Sequence, residues 1–308
     1  MAPYFRKTRS FLHNPFTRHA LYWLCGCCFA LSGFLYGQPD AVSNPDAKSL
    51  LQQTLRHLPQ ADFWMFTFRE QWSEVGLLAE AEGSLAVGPS RRCRLEIRIR
   101  LADVQADWRL YSDGQTVWRQ ERLPQTEPKL IRYTFDDLHQ AIAQANLSES
   151  DALRLREAVL AEHGYQSLRW RLMELSSRYQ WGPAQTTKLA DGRPAWLLEG
   201  TYNEKTLQDA FRGQLPQAPE IPKRSRVYLL RLQSWWGGEF LWPARIEWWG
   251  LPRNQKEDRL LAWLEYDTPQ RLAPDAPQLQ PPFTDQEMAN SEPADPSSLI
   301  ADTLQRLR

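Results

Sequence analysis

Cysteine is nearly missing from the body of this chain: Cys25, Cys27 and Cys28 all precede Gly37, and only Cys93 follows. One thiol excludes an intramolecular disulfide there, and its place on the apolar side of a strand suits a small buried hydrophobe. Histidine is as scarce. Beyond Gly37 there are His57, His139 and His163, each isolated beside Arg or Glu, which suits exposed imidazole rather than a metal cluster. HExxH, paired CxxC, Walker and GxGxxG motifs are all lacking, and Gly83-Ser84 has no second glycine to make a nucleophile elbow. The acidic pairs Asp136-Asp137 and Glu80/Glu82 suit a helix start and a solvated strand face. Nothing here calls for a metal or cofactor. The chain reads as non-enzymatic, short of a site assembled only in three dimensions. A surplus of positive charge is lacking too. Lys+Arg and Asp+Glu both total 37; Arg6, Lys7, Arg9 and Arg18 lie in a segment free of acids, so the remainder is net acidic. A nucleic-acid partner is thereby disfavoured.

What is present is an ordinary globular balance, 42% hydrophobic and 24% charged, enough for a packed core. Fourteen Trp is high for this length; such rings fill cores and also line cavities for apolar ligands. The N-terminus is basic, and Ala20 to Tyr36 is an apolar run. Residues 1–37 therefore read as an export signal cleaved after Gly37, as a retained membrane anchor, or, through Leu24-Cys25-Gly26-Cys27, as a distant lipobox. Each reading places the body outside the cytoplasm, as an exported, periplasmic protein.

The body then alternates. In Asp62 to Glu70, Trp64, Phe66 and Phe68 share one side of an extended chain and Phe63, Met65 and Thr67 the other, so this strand should be covered on both faces. Leu78 to Val87 follows, ending at Gly88-Pro89. Arg91 to Leu101 places Cys93, Leu95, Ile97, Ile99 and Leu101 on one side and Arg92, Arg94, Glu96, Arg98 and Arg100 on the other, a half-buried antiparallel strand. The Arg stripe offers either a phosphate site or a solvated face paired with Glu96, Glu80 and Glu82. Trp108 to Tyr111 and Thr116 to Gln120 flank a tight Asp113-Gly114 turn, and Lys129 to Tyr133 is a further strand. Helices are expected at Asn44 to Leu58, with Asn44 as cap and Pro45 first, at Asp136 to Ala145, after the Ser148 capping box to His163, and at Tyr165 to Tyr179. Strands resume at Thr186 to Ala190, Ala195 to Tyr202, Val227 to Gln233, Leu241 to Trp249 and Arg259 to Asp267, with a short helix at Thr206 to Arg212. Pro269 to Pro296 reads as irregular, and Leu299 to Leu307 as a last helix. One domain over 38–283 and a polar tail over 284–308 are expected.

The helix from Asp46-Ala47 to Leu58, Phe66-Thr67-Phe68, Glu82-Gly83-Ser84-Leu85-Ala86-Val87 with Pro89, and Ser112 to Trp118 together resemble the outer-membrane lipoprotein-sorting (LolA/LolB-like) family in order and spacing. The resemblance implies an α+β fold, an incomplete antiparallel barrel with helices over its concave face. It also implies that acyl chains of lipid or lipoprotein are the ligand. Candidate cavity liners are Trp64, Phe66, Phe68, Leu95, Ile97, Ile99, Tyr228, Leu230 and Leu232. The family's carriers have Arg-Pro after the second strand and a Phe three residues beyond the Pro; here Gly88 precedes Pro89 and Arg92 holds the Phe place, so neither residue carries over. The alternative is a membrane-anchored sensor or scaffold that uses the same fold to bind cell-envelope membrane proteins.

Overall fold

The computed structural model describes residues 45–58, 62–74, 77–162, 167–202, 222–235, 237–250 and 258–307. Met1 to Gly37, His163 and the helix expected over Thr206 to Arg212 lie outside them.

The first helix, α1 (Ala47–His57), starts two residues later than its proline suggests. Asp46 is the cap, its carboxylate accepting the Ser49 amide at 2.9 Å, and Pro45 stands before it. The ionised carboxylate of Asp46 both accepts that amide and faces the positive end of the helix dipole, so it sets the boundary. Six strands follow as consecutive antiparallel hairpins: β1 (Trp64–Glu74), β2 (Leu77–Val87), β3 (Arg92–Leu101), β4 (Val104–Asp113), β5 (Thr116–Arg122) and β6 (Lys129–Thr134). The β4–β5 turn is held by the Asp113 carboxylate, which accepts the Gln115 and Thr116 amides at 2.8 Å while Gly114 takes a positive φ of 106°.

Helices α2 (Phe135–Gln144), α3 (Glu149–Glu162) and α4 (Ser167–Arg178) come next. Thr134 and Asp137 form a reciprocal capping box at the start of α2, and the Ser148 hydroxyl accepts the Asp151 amide in α3. The chain returns to strands with β7 (Tyr179–Trp181), β8 (Gln185–Lys188), β9 (Pro194–Tyr202), β10 (Pro222–Gln233), β11 (Glu239–Gly250) and β12 (Arg259–Tyr266). β12 pairs with β1, which joins the two strand sets into one 14-stranded sheet running β14-β6-β5-β4-β3-β2-β1-β12-β11-β10-β9-β7. The sheet is open, with β14 and β7 at its ends, so the α+β half-barrel expected from the sequence is the architecture observed.

The stretch after β12 has little regular structure but is firmly packed. It contains β13 (Gln270–Arg271), a 3-10 turn at Pro277–Leu279, α5 (Asp285–Ala289), β14 (Glu292–Pro293) and α6 (Pro296–Leu307). This segment crosses the outer face of the sheet. Ala276 and Leu279 bury Ala86 together with Phe63, Met65 and Leu272; Phe283 packs on Tyr111 and Leu130. Arg94 donates to the carbonyls of Pro277 and Gln280 at 3.2 Å. At the far edge β14 pairs in parallel with β6, and α6 turns back to lie against α2 and α3. The second apolar side of β1 is thereby covered, as its composition requires.

Candidate functional site

The helix-covered face is assembled by strand register. Phe66, Leu85, Leu95 and Leu110 meet in one row across β1 to β4, and Phe68, Gly83, Ile97 and Trp108 in the next. Over the first row the face is full. Trp64, Phe66, Phe240, Trp242 and Tyr266 stack edge to face, with centroids 5.4 to 6.5 Å apart, beneath Leu51 of α1, Leu172 and Leu175 of α4 and Ile142 of α2. Rings at this spacing gain quadrupolar attraction beyond their burial. Trp242 is 0% exposed.

Further along the strands the face is less filled. Phe68, Ile97 and Trp108 are only partly buried against the main core, and Trp72, Ala79 and Ala81 form a second cluster with Ile97, Ile99, Leu101 and Ala262. Gly83 is required here: a Cβ would lie 2.6 Å from the Phe68 ring and 2.5 Å from the Glu96 carbonyl oxygen. Two features of this region are polar. Glu70 lies on the apolar side of β1 at 8% exposure, and burial pushes its carboxyl above the usual range, opposed by Arg171 of α4, whose guanidinium stands 3.7 Å away. In addition, the buried indole N–H groups of Trp72, Trp108 and Trp248 find no acceptor among the described residues, nor does that of Trp242 in the filled core.

Of the predicted liners, Trp64, Phe66, Leu95, Phe68 and Ile97 come together on this face, and Ile99 joins the second cluster. Tyr228 and Leu230 do not. The β10 residues that enter the main core are Val227 and Leu229; Leu230 belongs to a separate group with Ala195 and Ala244, and the Tyr228 hydroxyl lies 3.4 Å from the Glu247 carboxylate. Leu232 is partly buried against both groups. The segment Val227-Tyr228-Leu229-Leu230 is apolar at both parities, so alternation had no grip on it. Glu70, Trp72 and Arg171 went unrecognised, and Trp248 was marked only by the crowding of tryptophans in its hairpin. Extending the β1 pattern past Glu70 would have put Glu70 and Trp72 beside Phe68, and Arg171 falls between Leu168 and Leu175 on the helical stripe.

Cys93 is buried in the main core and its thiol is pushed up to about 12 by burial, which leaves negligible thiolate at neutral pH. His139 is held below the usual imidazole range by partial burial and by Arg91 and Arg156. No group of three or more His, Cys, Asp or Glu able to hold a metal occurs among the described residues. The outer face is a charge lattice in which Arg94 pairs with Glu96, and Arg98 and Arg100 with Glu82; Arg92 instead lies over the Phe63 ring. A groove of about 430 Å³ on this lattice includes Thr67, Ser84, Glu96, Arg98 and Asp267.

No protein-family model matches this sequence, and no curated protein matches it. Among solved structures the chain is similar to LprF from Mycobacterium bovis, at 10% identity and TM-score 0.35, with 73% of this chain and 93% of that one covered. It is similar to a LolA superfamily protein from Nitrosomonas europaea, at 11% identity and TM-score 0.22, over 75% and 96% of the two chains. It is also similar to the Pseudomonas aeruginosa MucA/MucB complex, at 15% identity and TM-score 0.30, covering 78% of this chain and 62% of that one. Likeness this distant has no bearing on what this chain binds. The class is defined by the strand pairing itself: an open antiparallel half-barrel covered on one face by helices.

Proposed function

We propose that this chain is an exported, non-enzymatic binding protein whose helix-covered face takes acyl chains of lipid or lipoprotein, with residues 1–37 acting as export signal or membrane anchor. The observation that carries this reading is the partly buried apolar strip of Phe68, Ile97, Trp108, Ile99 and Leu101 continuing below a filled aromatic core. Burying a hydrocarbon chain on such a surface contributes about 0.8 kcal/mol per CH₂.

A second reading is a membrane-anchored scaffold that binds a cell-envelope protein. The strap over the outer face favours it, because Arg94 and the apolar clusters around Ala86 and Tyr111 already hold an irregular polypeptide segment there. Native mass spectrometry of the full chain, purified gently from an envelope fraction and followed by lipid extraction, separates the two. Near-stoichiometric co-purified lipid or acylated peptide supports the first. A clean apo mass that is unchanged by incubation with phospholipid overturns it in favour of the scaffold.

A further inference from the structure

Within the acyl-binding reading, on which this step rests, we propose that Trp72, Trp248 and Arg171 form a headgroup site for an amphiphile whose polar end is a carboxylate or a phosphate. The three groups come from β1, β11 and α4. In register, Trp72 faces Ala262 of β12 and Ala262 faces Trp248, so the two tryptophans flank one small residue, their backbones about 10 Å apart across two strand spacings. The Arg171 guanidinium lies over the Trp248 ring, 5.8 Å from its centroid, and 3.7 Å from Glu70, which precedes Trp72 by two residues on the same side of β1.

Two observations on this patch point to a ligand. Trp72 is 7% exposed and Trp248 1%, and each keeps a buried indole N–H with no acceptor among the described residues. An indole nitrogen can only donate, and a buried donor left without an acceptor destabilises the fold until something supplies one. Two such donors, on strands either side of β12 and with a guanidinium over one of the rings, offer the kind of group that the acceptor oxygens of an anionic headgroup require. Secondly, the site adjoins an apolar lane. Ala79 sits between Trp72 and Leu101, and Ala81 between Glu70 and Ile99. A chain attached to the headgroup would lie on these alanines, whereas at Gly83 the corresponding space is occupied by the Phe68 ring. Glu70 has its place in the arrangement. Burial raises its carboxyl above the usual range, which makes it the more readily neutralised member of the pair when a second anion approaches Arg171.

The test is calorimetric titration of the delipidated full chain with three probes of equal chain length: hexadecanoate, 1-palmitoyl lysophosphatidate and hexadecanol. The two anions are expected to bind at least about tenfold more tightly than the alcohol, the size expected of charge-assisted hydrogen bonds. Whichever anion binds better identifies the headgroup as carboxylate or phosphate. Arg171→Gln should reduce both anions to the affinity of hexadecanol and leave the alcohol unchanged. If that variant is poorly folded, Glu70→Gln/Arg171→Gln leaves no unpaired charge from this pair, and Trp72→Phe removes one donor while keeping the ring; Trp72→Phe should weaken the anions several-fold and spare the alcohol. Equal binding of all three probes to the parent protein overturns the headgroup site and leaves the acyl reading standing. Binding of none overturns both.

Discussion

Across β1 to β4 the two sides of one sheet hold opposite chemistries: Phe66, Leu85, Leu95 and Leu110 on the helix side, Arg69, Glu82, Arg98 and Asp107 on the outer side. The inner row is almost completely buried, whereas the Arg98 side chain is 49% exposed although it touches both Glu82 and Asp107. Burial of apolar area stabilises in proportion to what leaves the water. Ion pairs that stay in water are offset by desolvation and side-chain entropy and contribute little. The inner face should therefore carry the stability of the domain and the outer face its solubility, except where the C-terminal strap turns part of the outer face into an interior.

That division is broken most severely at Trp242. Replacing this fully buried ring with alanine removes a partner of Trp64, Phe66, Phe240 and Tyr266 at once, and should cost about 3–5 kcal/mol in urea denaturation. A loss below about 1 kcal/mol would mean that the aromatic cluster is not a load of the core. Phe283→Ala, on the outer side, should cost about 3 kcal/mol, at the low end for a buried Phe, because Tyr111 and Leu130 can close over part of the space. Its signature is local: amide exchange should quicken in Tyr111 to Trp118 before β1 or β12 respond.

Glu70 sharpens the comparison through pH, being a carboxyl on the apolar side. Burial is the larger influence on it, Arg171 the smaller and opposite one, so its carboxyl lies above the unfolded value of 4.5. The folded protein then holds this proton at pH values where the unfolded chain has released it. The stabilisation is fully present below about pH 4.5 and is lost as pH rises through the folded value. Subtracting the Glu70→Gln melting curve from that of the parent should leave a difference that declines with rising pH. A difference that climbs instead would place Arg171 ahead of burial.

How much of this was legible beforehand depended on how unambiguous each alternation was. Arg91 to Leu101 has charge at one parity and apolar groups at the other, so its inner and outer sides were readable, as were the Arg pairings with Glu96 and Glu82. Val227 to Leu230 is apolar at both, and there the expected liners Tyr228 and Leu230 fell on the wrong side. The strap was beyond reach for a different reason. Proline-rich sequence announces irregular backbone, but its packing is set by contacts from residue 86 to 276 or 111 to 283 that no local pattern encodes. The Glu70–Arg171 pair likewise joins a strand to a helix a hundred residues later.

Gly83→Ala tests how tightly the inner face approaches the backbone. The added methyl would meet the Phe68 ring and the Glu96 carbonyl; the ring can rotate away and the carbonyl cannot, so about 1–3 kcal/mol of overpacking is expected. The smallest effect belongs to the outer lattice. Arg98→Ala removes contacts to Glu82 and Asp107, yet Arg100 still reaches Glu82 at 3.3 Å, and both arginines and Glu82 are about half exposed, with Asp107 less so. Water and the remaining guanidinium can take over, so denaturation should shift by less than about 1 kcal/mol, and the shift should shrink further as salt is raised from 0.05 to roughly 0.5 M. A larger, salt-insensitive loss at Arg98 would show that this part of the outer face, like the part under the strap, is covered in the working protein.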